Sequence, residues 1–413
     1  MAEYGLLGKT LNHSYSPEIH AFFGNDNYEL IELQPEELEL FFKKREFKGI
    51  NVTIPYKKDA LKYCDEISPI AKRCGSVNTI IKRNDGTLYG DNTDYYGFMY
   101  LIKRSRVNIS GKQCLILGSG GAASAVREAL IDSGALRVLH VTRNGNPNYT
   151  NIYNHVDTDI IVNATPVGMY PNCFESLINM PRFQRLTAVY DLIYNPARTK
   201  FVVDAMREYC AAFSGLPMLV AQAAKSHELF LGVNVSDEKI EQCISKIEFE
   251  KRNILLIGMP GCGKTTIGKE LAKRLGRDLI DLDEEIEKKT GRTPEDIIRK
   301  DGETKFREIE TEVLKEFSIL SSKIISCGGG VISPKANRFI MKMNSTVIWI
   351  QRAEEKLATD GRPLSQIIGN HELYLYRQPL YIESADLNFR NDTTIDECVN
   401  KILKELKGEN SCY

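Results

Sequence analysis

The sequence predicts an α/β protein of two or three domains, and three observations carry that expectation. At 413 residues the chain exceeds the size at which a single hydrophobic core usually stops growing. Apolar strands alternate with amphipathic helices through both halves. Two strand-to-helix turns are glycine-rich: KQCLILGSGGAASAVREAL from Lys112 to Leu130, and NILLIGMPGCGKTTIGKELAKRL from Asn253 to Leu275. They lie about 140 residues apart, the spacing of two separate domains.

Composition narrows the setting. With 42% hydrophobic and 26% charged residues, a disordered, collagen-like or coiled-coil chain is excluded. A net charge of -1 with no single-sign block gives no electrostatic footprint for nucleic acid or an anionic membrane. No apolar stretch approaches the roughly 20 residues that span a bilayer. The opening MAEYGLLGKTLNHS lacks the zones of a secretory signal, and the ten cysteines are scattered without a C-x-x-C pair. The expected compartment is a reducing cytoplasm, with thiols in or near cores and no structural zinc.

About 105 residues precede the first glycine-rich turn, with strand-like GINVTIP and SVNTIIK and a helical PEELELFFKK. These form a lobe of their own. The strand CLILG then runs into Gly118, Ser119, Gly120, Gly121 and Ala122 before a helix. Small residues there let backbone amides approach a pyrophosphate at the helix N-terminus, although such a turn can also serve tight packing alone. The next strand, LRVLHVT, ends at Thr142 and Arg143, where an NAD site would normally carry an acidic residue. Arg143 suggests a 2'-phosphate and so favours NADP over NAD, although a lone arginine at a strand end is often just a solvated surface residue. The expected layout is a substrate lobe over about 1–106 plus 213–250, around a cleft with a Rossmann-like cofactor lobe over about 107–212. The stretch SDEKIEQCISKIEFEKR spaces Ile240, Ile244 and Ile247 helically, and the domain boundary is expected near Glu250, giving parts 1–250 and 251–413.

Lys57 follows GINVTIPY and Asp94 lies in GDNTDYYGF, an ammonium and a carboxylate suited to proton transfer beside a hydride acceptor. Each alone reads as readily as a solvated loop residue. Their surroundings raise them: GKTLNHSYSPEIH, NVTIPYK, SVNTI, GDNTDYYGF, GSGGAA, NATPVGM, YDLIYNP and GLPMLVAQAA occur in the order seen in shikimate dehydrogenases, and residues 1 to roughly 247 resemble that family. The resemblance implies NADPH-dependent, reversible reduction of 3-dehydroshikimate to shikimate. It implies that Ser14, Ser16 and Tyr194 hold the substrate carboxylate, and that Thr53, Asn78, Asp94 and Gln222 bind the ring hydroxyls or oxo oxygen. Lys57 matches the catalytic lysine, and Leu192 and Gly215 join the cofactor site. The sequence departs from its relatives after Arg143, where NGNPNYTNIYNHVDTD reaches the next strand quickly and omits a second arginine.

In the second half, Gly258 to Thr265 satisfies G-x-x-x-x-G-K-[ST] between the apolar run ILLI and a helix whose Ile267, Leu271 and Leu275 share a face. Gly261, Cys262, Gly263, Lys264, Thr265 and Thr266 would cradle phosphates, with Lys264 on the outer phosphates and the Thr265 hydroxyl on magnesium. Cys262 reads as a small filler. Downstream, DLIDLDEEIE is expected to place Asp281 and Asp283 on one side of a strand end, GETKFREIE offers Arg307 on a helix, and Gly328, Gly329 and Gly330 follow a strand. Taken singly, these read as a helix cap at Asp283, a solvated arginine and a plain turn.

With RPLS at Arg362 and RQPLY at Arg377, residues 252 to about 390 resemble shikimate kinase, a P-loop α/β domain with a central parallel sheet. The resemblance implies that Asp283 orients the acceptor hydroxyl, Arg307 and Arg377 clamp the shikimate carboxylate, and Gly329 lines the ring site. Asp281 would support Mg2+, and Arg362 would close with a lid over ATP. The segment EEKLATDGRPLS is shorter than usual, with Ala358 where an arginine often stacks on adenine. The whole chain then reads as a bifunctional enzyme whose ligands are small molecules, 3-dehydroshikimate, shikimate, NADP(H) and ATP, with no nucleic-acid or membrane partner. The alternatives are a quinate-type or NAD-preferring dehydrogenase joined to a related kinase, or a silent shikimate sensor. No feature speaks to oligomeric state.

Overall fold

The computed structural model describes residues 3–11, 14–357 and 369–408. The chain forms two compact units. The first takes in the chain to Met169, then Phe174–Tyr194 and Asp204–Ile247; the second comprises Tyr170–Cys173, Asn195–Val203 and the chain from Glu248.

The first unit holds two sheets. One contains β1 (Tyr4–Gly8), β2 (Tyr28–Glu32), β3 (Gly49–Val52), β4 (Glu66–Ile67), β5 (Thr79–Lys82) and β6 (Leu88–Asp91), in the order β2-β1-β3-β5-β6-β4. It is mixed, because β5 runs antiparallel to both β3 and β6. The other contains β7 (Gln113–Leu117), β8 (Arg137–Val141), β9 (Ile160–Asn163), β10 (Ala188–Asp191) and β11 (Ala211–Phe213), all parallel in the order β11-β10-β9-β7-β8. Apolar runs form these parallel strands because helices cover both faces, and Cys114 to Leu117 are all but inaccessible. Strand order reverses at β7, so a crevice opens at its carboxyl end, where ligands of such sheets bind.

Two helices tie the substrate sheet to the later chain. Helix Thr93–Ser105 begins with Asp94 in its first turn, and helix Leu216–Leu231 carries Gln222 across it. Their backbones approach closely at Gly97, where a Cβ would lie 2.6 Å from the Met218 carbonyl oxygen. Between β8 and β9 there is only the single 3-10 turn Ile152–His155, in keeping with the shortened sequence there.

The second unit has one parallel sheet of β12 (Asn253–Ile257), β13 (Leu279–Asp281), β14 (Ile324–Ser326), β15 (Ser345–Gln351) and β16 (Leu387–Arg390), ordered β13-β14-β12-β15-β16. Its switch point lies at β12, so the P-loop, Asp281 and the glycine run after β14 all emerge at one edge. No helix among the described residues is long and apolar enough to cross a membrane. Eight of the nine described cysteines are buried.

Candidate active sites

In the first unit, a pocket of about 180 Å³ gathers residues from eight separate stretches of the chain. Ser14, Ser16, Thr53, Lys57, Asn78, Asp94, Tyr194 and Gln222 all line it, together with Ala122, Leu192 and Gly215. Local structure explains each placement. The Ser14 Oγ accepts from the Ser16 backbone N–H at 3.2 Å and donates to the Ser16 Oγ at 3.1 Å, which sets two hydroxyls side by side at the start of helix Ser16–Phe22. Thr53 stands at the exit of β3, and a turn closed by the Tyr56 N–H on the Thr53 carbonyl brings Lys57 round to the cleft. Tyr194 sits after β10 with its ring 5.0 Å from Tyr15, and burial pushes its phenol up to about 12.

The Lys57 ammonium donates to Asp94 Oδ2 at 2.6 Å, with the two side chains only 15% and 8% exposed. Asp94 Oδ1 accepts from Asn78 Nδ2 at 2.9 Å. One carboxylate therefore holds both a cation and an amide in fixed directions.

The glycine-rich turn lies against this pair. A Cβ on Gly121 would meet Lys57 Cβ at 3.2 Å, so the N-terminus of helix Gly121–Asp132 abuts the lysine. Gly118 adopts φ +111°, a conformation that only glycine adopts without strain. Ser119 and Gly120 are exposed beside it. Gly215 is required by contact: its Cβ would fall 2.1 Å from the Leu192 carbonyl oxygen. Thr142 and the exposed Arg143 lie beyond the end of β8, outside this pocket's lining. These small and open positions suit a dinucleotide, and Arg143 is available to a 2'-phosphate.

In the second unit, a pocket of about 270 Å³ is lined by Gly261, Lys264, Thr265, Asp281, Asp283, Arg307, Gly329 and Arg377. Lys264 is buried, and its ammonium donates to the carbonyls of Gly258 at 3.0 Å and Met259 at 3.1 Å. Gly263 caps helix Lys264–Leu275 at φ +100°. Cys262 is fully buried behind the loop, as a filler should be, and Thr266 is exposed on the helix. The Thr265 hydroxyl donates to Asp281 Oδ2 at 2.8 Å, with the Ser326 hydroxyl 3.2 Å away. Three oxygens thus converge, the donor type that a hard divalent cation takes.

Asp281 and Asp283 meet differently from the strand-end arrangement that the sequence suggests. Asp281 ends β13 and caps helix Leu282–Thr290, its Oδ1 accepting from the Asp283 N–H at 3.1 Å. The cap is therefore Asp281 rather than Asp283, whose side chain is left for the pocket. Surrounding protein and the Asp281 charge push the Asp283 carboxyl up from its ordinary range, against Lys264 and Arg307.

Arg307 is neither solvated nor alone. Its Nη1 donates to Glu310 Oε2 at 2.6 Å and its Nη2 to Glu303 Oε1 at 3.0 Å. Arg377 is 3% exposed, and its Nε has no hydrogen-bond partner among the described residues. The glycine run is dictated by these neighbours: a Cβ on Gly330 would sit 2.0 Å from Arg307 Nη2, and one on Gly329 would sit 2.6 Å from Pro260 Cδ. Arg362 and Ala358 lie outside the described residues. Glu310 was not singled out by sequence; its spacing of three from Arg307 on helix Glu303–Ser318 was the available signal.

An ammonium–carboxylate pair in a cleft beside a dinucleotide-type turn, followed by a P-loop with two arginines facing its acceptor pocket, defines an oxidoreductase joined to a small-molecule kinase. Comparison with known proteins gives the particular families. A family model described as shikimate dehydrogenase substrate binding domain matches residues 6–80, and one described as shikimate kinase matches residues 260–407. The shikimate dehydrogenase (NADP(+)) of Clostridium beijerinckii is 36% identical over 267 residues, covering 60% of this chain and 98% of that protein. The crystal structure of shikimate dehydrogenase 1 from Peptoclostridium difficile superposes with a TM-score of 0.56 at 36% identity, covering 60% of this chain and 98% of that one. The Thermus thermophilus shikimate 5-dehydrogenase, solved with NADP(H) and shikimate, gives 0.53 at 31% identity, covering 60% and 99%. The chain belongs to the shikimate dehydrogenase family and carries a shikimate kinase domain after it.

Proposed function

We propose that this chain catalyses two consecutive reactions: reduction of 3-dehydroshikimate to shikimate with NADPH, and transfer of a phosphoryl group from ATP to give shikimate 3-phosphate. The hydroxyl created in the first reaction is the one phosphorylated in the second. The observation that carries the reading is the convergence on one pocket of all eight substrate residues expected from sequence, around the Lys57–Asp94 pair. We take residues 1–250 as the dehydrogenase part and 251–413 as the kinase part.

At the first site Ser14, Ser16 and Tyr194 bind the carboxylate, while Thr53, Asn78, Asp94 and Gln222 bind the ring oxygens. NADPH, when bound across the Gly118–Ala122 turn with Arg143 on its 2'-phosphate, supplies the hydride. As the ketone oxygen gains charge, Lys57 stabilises it and delivers a proton, and Asp94 keeps the ammonium in place. At the second site Lys264 and the P-loop amides hold the ATP phosphates, and Thr265 with Asp281 would hold Mg2+. Asp283 orients the shikimate hydroxyl, and Arg307 and Arg377 grip the carboxylate with planar guanidinium forks. Catalysis there is positioning plus charge neutralisation. A cytoplasmic setting fits these ligands.

The test supplies 3-dehydroshikimate, NADPH and Mg-ATP to the whole chain. Oxidation of the cofactor followed by a product of the mass of shikimate 3-phosphate is expected. Binding of both ligands without turnover would favour the sensor, and faster turnover with NADH would reassign the cofactor.

A further inference from the structure

Behind the first pocket lies a buried polar cluster with no place in the roles above. Asn51, Thr79 and Ser226 are 5%, 0% and 0% exposed, and none of Thr79, Thr93 and Ser226 lines the pocket. The three hydroxyls form a triangle: Thr79 to Thr93 at 3.1 Å, Thr79 to Ser226 at 2.9 Å, and Thr93 to Ser226 at 3.0 Å.

The amide end of this cluster has a fixed direction. The Asn51 side-chain nitrogen faces the Asn78 main-chain carbonyl at 3.2 Å, and a carbonyl only accepts, so that atom is the amide donor. Its oxygen then accepts from the buried Tyr28 hydroxyl at 2.7 Å. The same Asn51 nitrogen lies 2.9 Å from Thr79 Oγ1 and 2.7 Å from Ser226 Oγ, so its two hydrogens are shared among three acceptors. The threonine hydroxyls also lie within reach of the oxygens of the two pocket amides. Thr79 and Thr93 reach Asn78 Oδ1 at 3.2 and 3.1 Å, and Thr93 reaches Gln222 Oε1 at 3.2 Å, whereas Ser226 donates to the Gln222 main-chain carbonyl one turn back at 3.0 Å and meets the amides only through the two threonine hydroxyls. The Thr93 backbone N–H also donates to Asn78 Oδ1 at 2.6 Å.

A carboxamide rotated by half a turn has nearly the same shape, so only its hydrogen-bond partners select which end faces a ligand. We propose that the Asn51–Thr79–Thr93–Ser226 cluster is a positioning device that fixes the orientation of Asn78 and Gln222, so that both amides turn their oxygens to the cluster, Asn78 donates to Asp94, and the Gln222 nitrogen, which also donates to the Leu219 carbonyl at 3.0 Å, is left on the ring side. The proposal rests on the dehydrogenase reading and deepens it. A flipped Asn78 would turn its oxygen on the Asp94 carboxylate, and the carboxylate that orients Lys57 would lose its second anchor. Thr79 and Ser226 touch no reacting atom; Thr79 acts through the Asn78 amide, and Ser226 through the two threonine hydroxyls.

Thr79→Val, which keeps the shape and removes the hydroxyl, and Thr79→Ser, which keeps the hydroxyl and removes a methyl group, separate orientation from packing. The expected result is about a tenfold rise in KM for 3-dehydroshikimate in Thr79→Val, with KM for NADPH and the phosphorylation rate of the same chain unchanged, and parent-like kinetics in Thr79→Ser. Equal kinetics in Thr79→Val and the parent, or a larger defect in Thr79→Ser, would overturn the proposal while leaving the dehydrogenase reading intact. No reduction by the parent chain would instead overturn that reading. Should Thr79→Val fail to fold, Thr93→Val against Thr93→Ser decides by the same KM contrast, since the Thr93 hydroxyl reaches the oxygens of both amides.

Discussion

Replacing Lys57 with alanine should separate chemistry from folding. The ammonium is the cation nearest the site of reduction, 2.6 Å from a carboxylate that is 8% exposed. Its loss removes a general acid, a function that contributes typically 10²–10⁴-fold, and a preorganised charge at the growing oxyanion, worth about 10²–10³-fold. One group serves both purposes, so the factors overlap and kcat/KM should fall about 1,000-fold. KM for 3-dehydroshikimate should move less than about fivefold, because Asn78, Asp94 and Gln222 still face the ring. The deletion also strands Asp94, whose remaining anchor is the Asn78 amide at 2.9 Å. Breaking a buried pair costs roughly 3–5 kcal/mol, and the partial access of Lys57 puts this case at the lower end, about 3 kcal/mol. Lys57→Ala/Asp94→Asn should therefore recover stability without recovering rate. NADPH oxidation reports the rate, thermal unfolding the stability, and shikimate phosphorylation by the same chain the amount of intact protein. Turnover within tenfold of the parent in Lys57→Ala would refute the assignment.

Asp283→Asn should lose phosphorylation by 100-fold or more, as expected for a group that orients the nucleophile, yet bind ATP normally in a nucleotide titration. An unchanged kinase rate would reject its role. Gly330→Ala would place a methyl group 2.0 Å from Arg307 Nη2, so KM for shikimate in the kinase assay should rise at least tenfold while NADPH-dependent reduction is unaffected. Folding should depend on pH through His20, whose buried ring is stacked at 3.9 Å on Tyr28 and whose pKa is lowered from 6.5 to about 3 by burial and by His227. The unfolded chain takes up this proton first, so stability is full above pH 6.5 and falls as pH drops toward 3, by up to about 5 kcal/mol. Urea titrations at pH 7 and 4.5 should show His20→Leu losing less stability than the parent over that interval, and equal losses would exclude His20.

The strands that carry the two glycine-rich turns were legible because a parallel strand covered on both faces must be apolar along its length, as Cys114–Leu117 and Ile254–Ile257 are. Lys57 and Asp94 were legible only through the order of the motifs around them, since nothing local brings together two residues 37 positions apart. The geometry of the paired aspartates escaped the pattern because strand alternation and helix capping both bring residues two apart to one side, and only the fold shows that Asp281 caps. Glu310 escaped because a carboxylate three residues after an arginine is the signature of a solvated helix face. Here Arg307 turns inward and takes Glu310 with it to full burial. The hydroxyl cluster was out of reach for a different reason: Asn51 and Ser226 are 175 residues apart, and serine and threonine carry no periodic signal in a helix or strand.

The proposed sites recognise the same carboxylate with different chemistry, and electrostatics accounts for the difference. Among the described residues lining the proposed reducing site, the charged pair is Lys57 with Asp94, and in the proposed reaction the ammonium acts on the ketone oxygen. Arginine on the substrate carboxylate would add a second strong field close to the first. In the proposed reading, the neutral hydroxyls of Ser14, Ser16 and Tyr194 would bind the carboxylate without competing for the developing charge. At the phosphorylating site the carboxylate must approach the phosphates of ATP, and like charges a few ångströms apart in a partly desolvated pocket repel by several kcal/mol. On the proposed roles, Lys264, Arg307 and Arg377 would offset that repulsion, and the charge-assisted, two-pronged contacts of arginine would also fix the ring against Asp283. Each set of groups thus suits the charge that its own reaction creates or brings near.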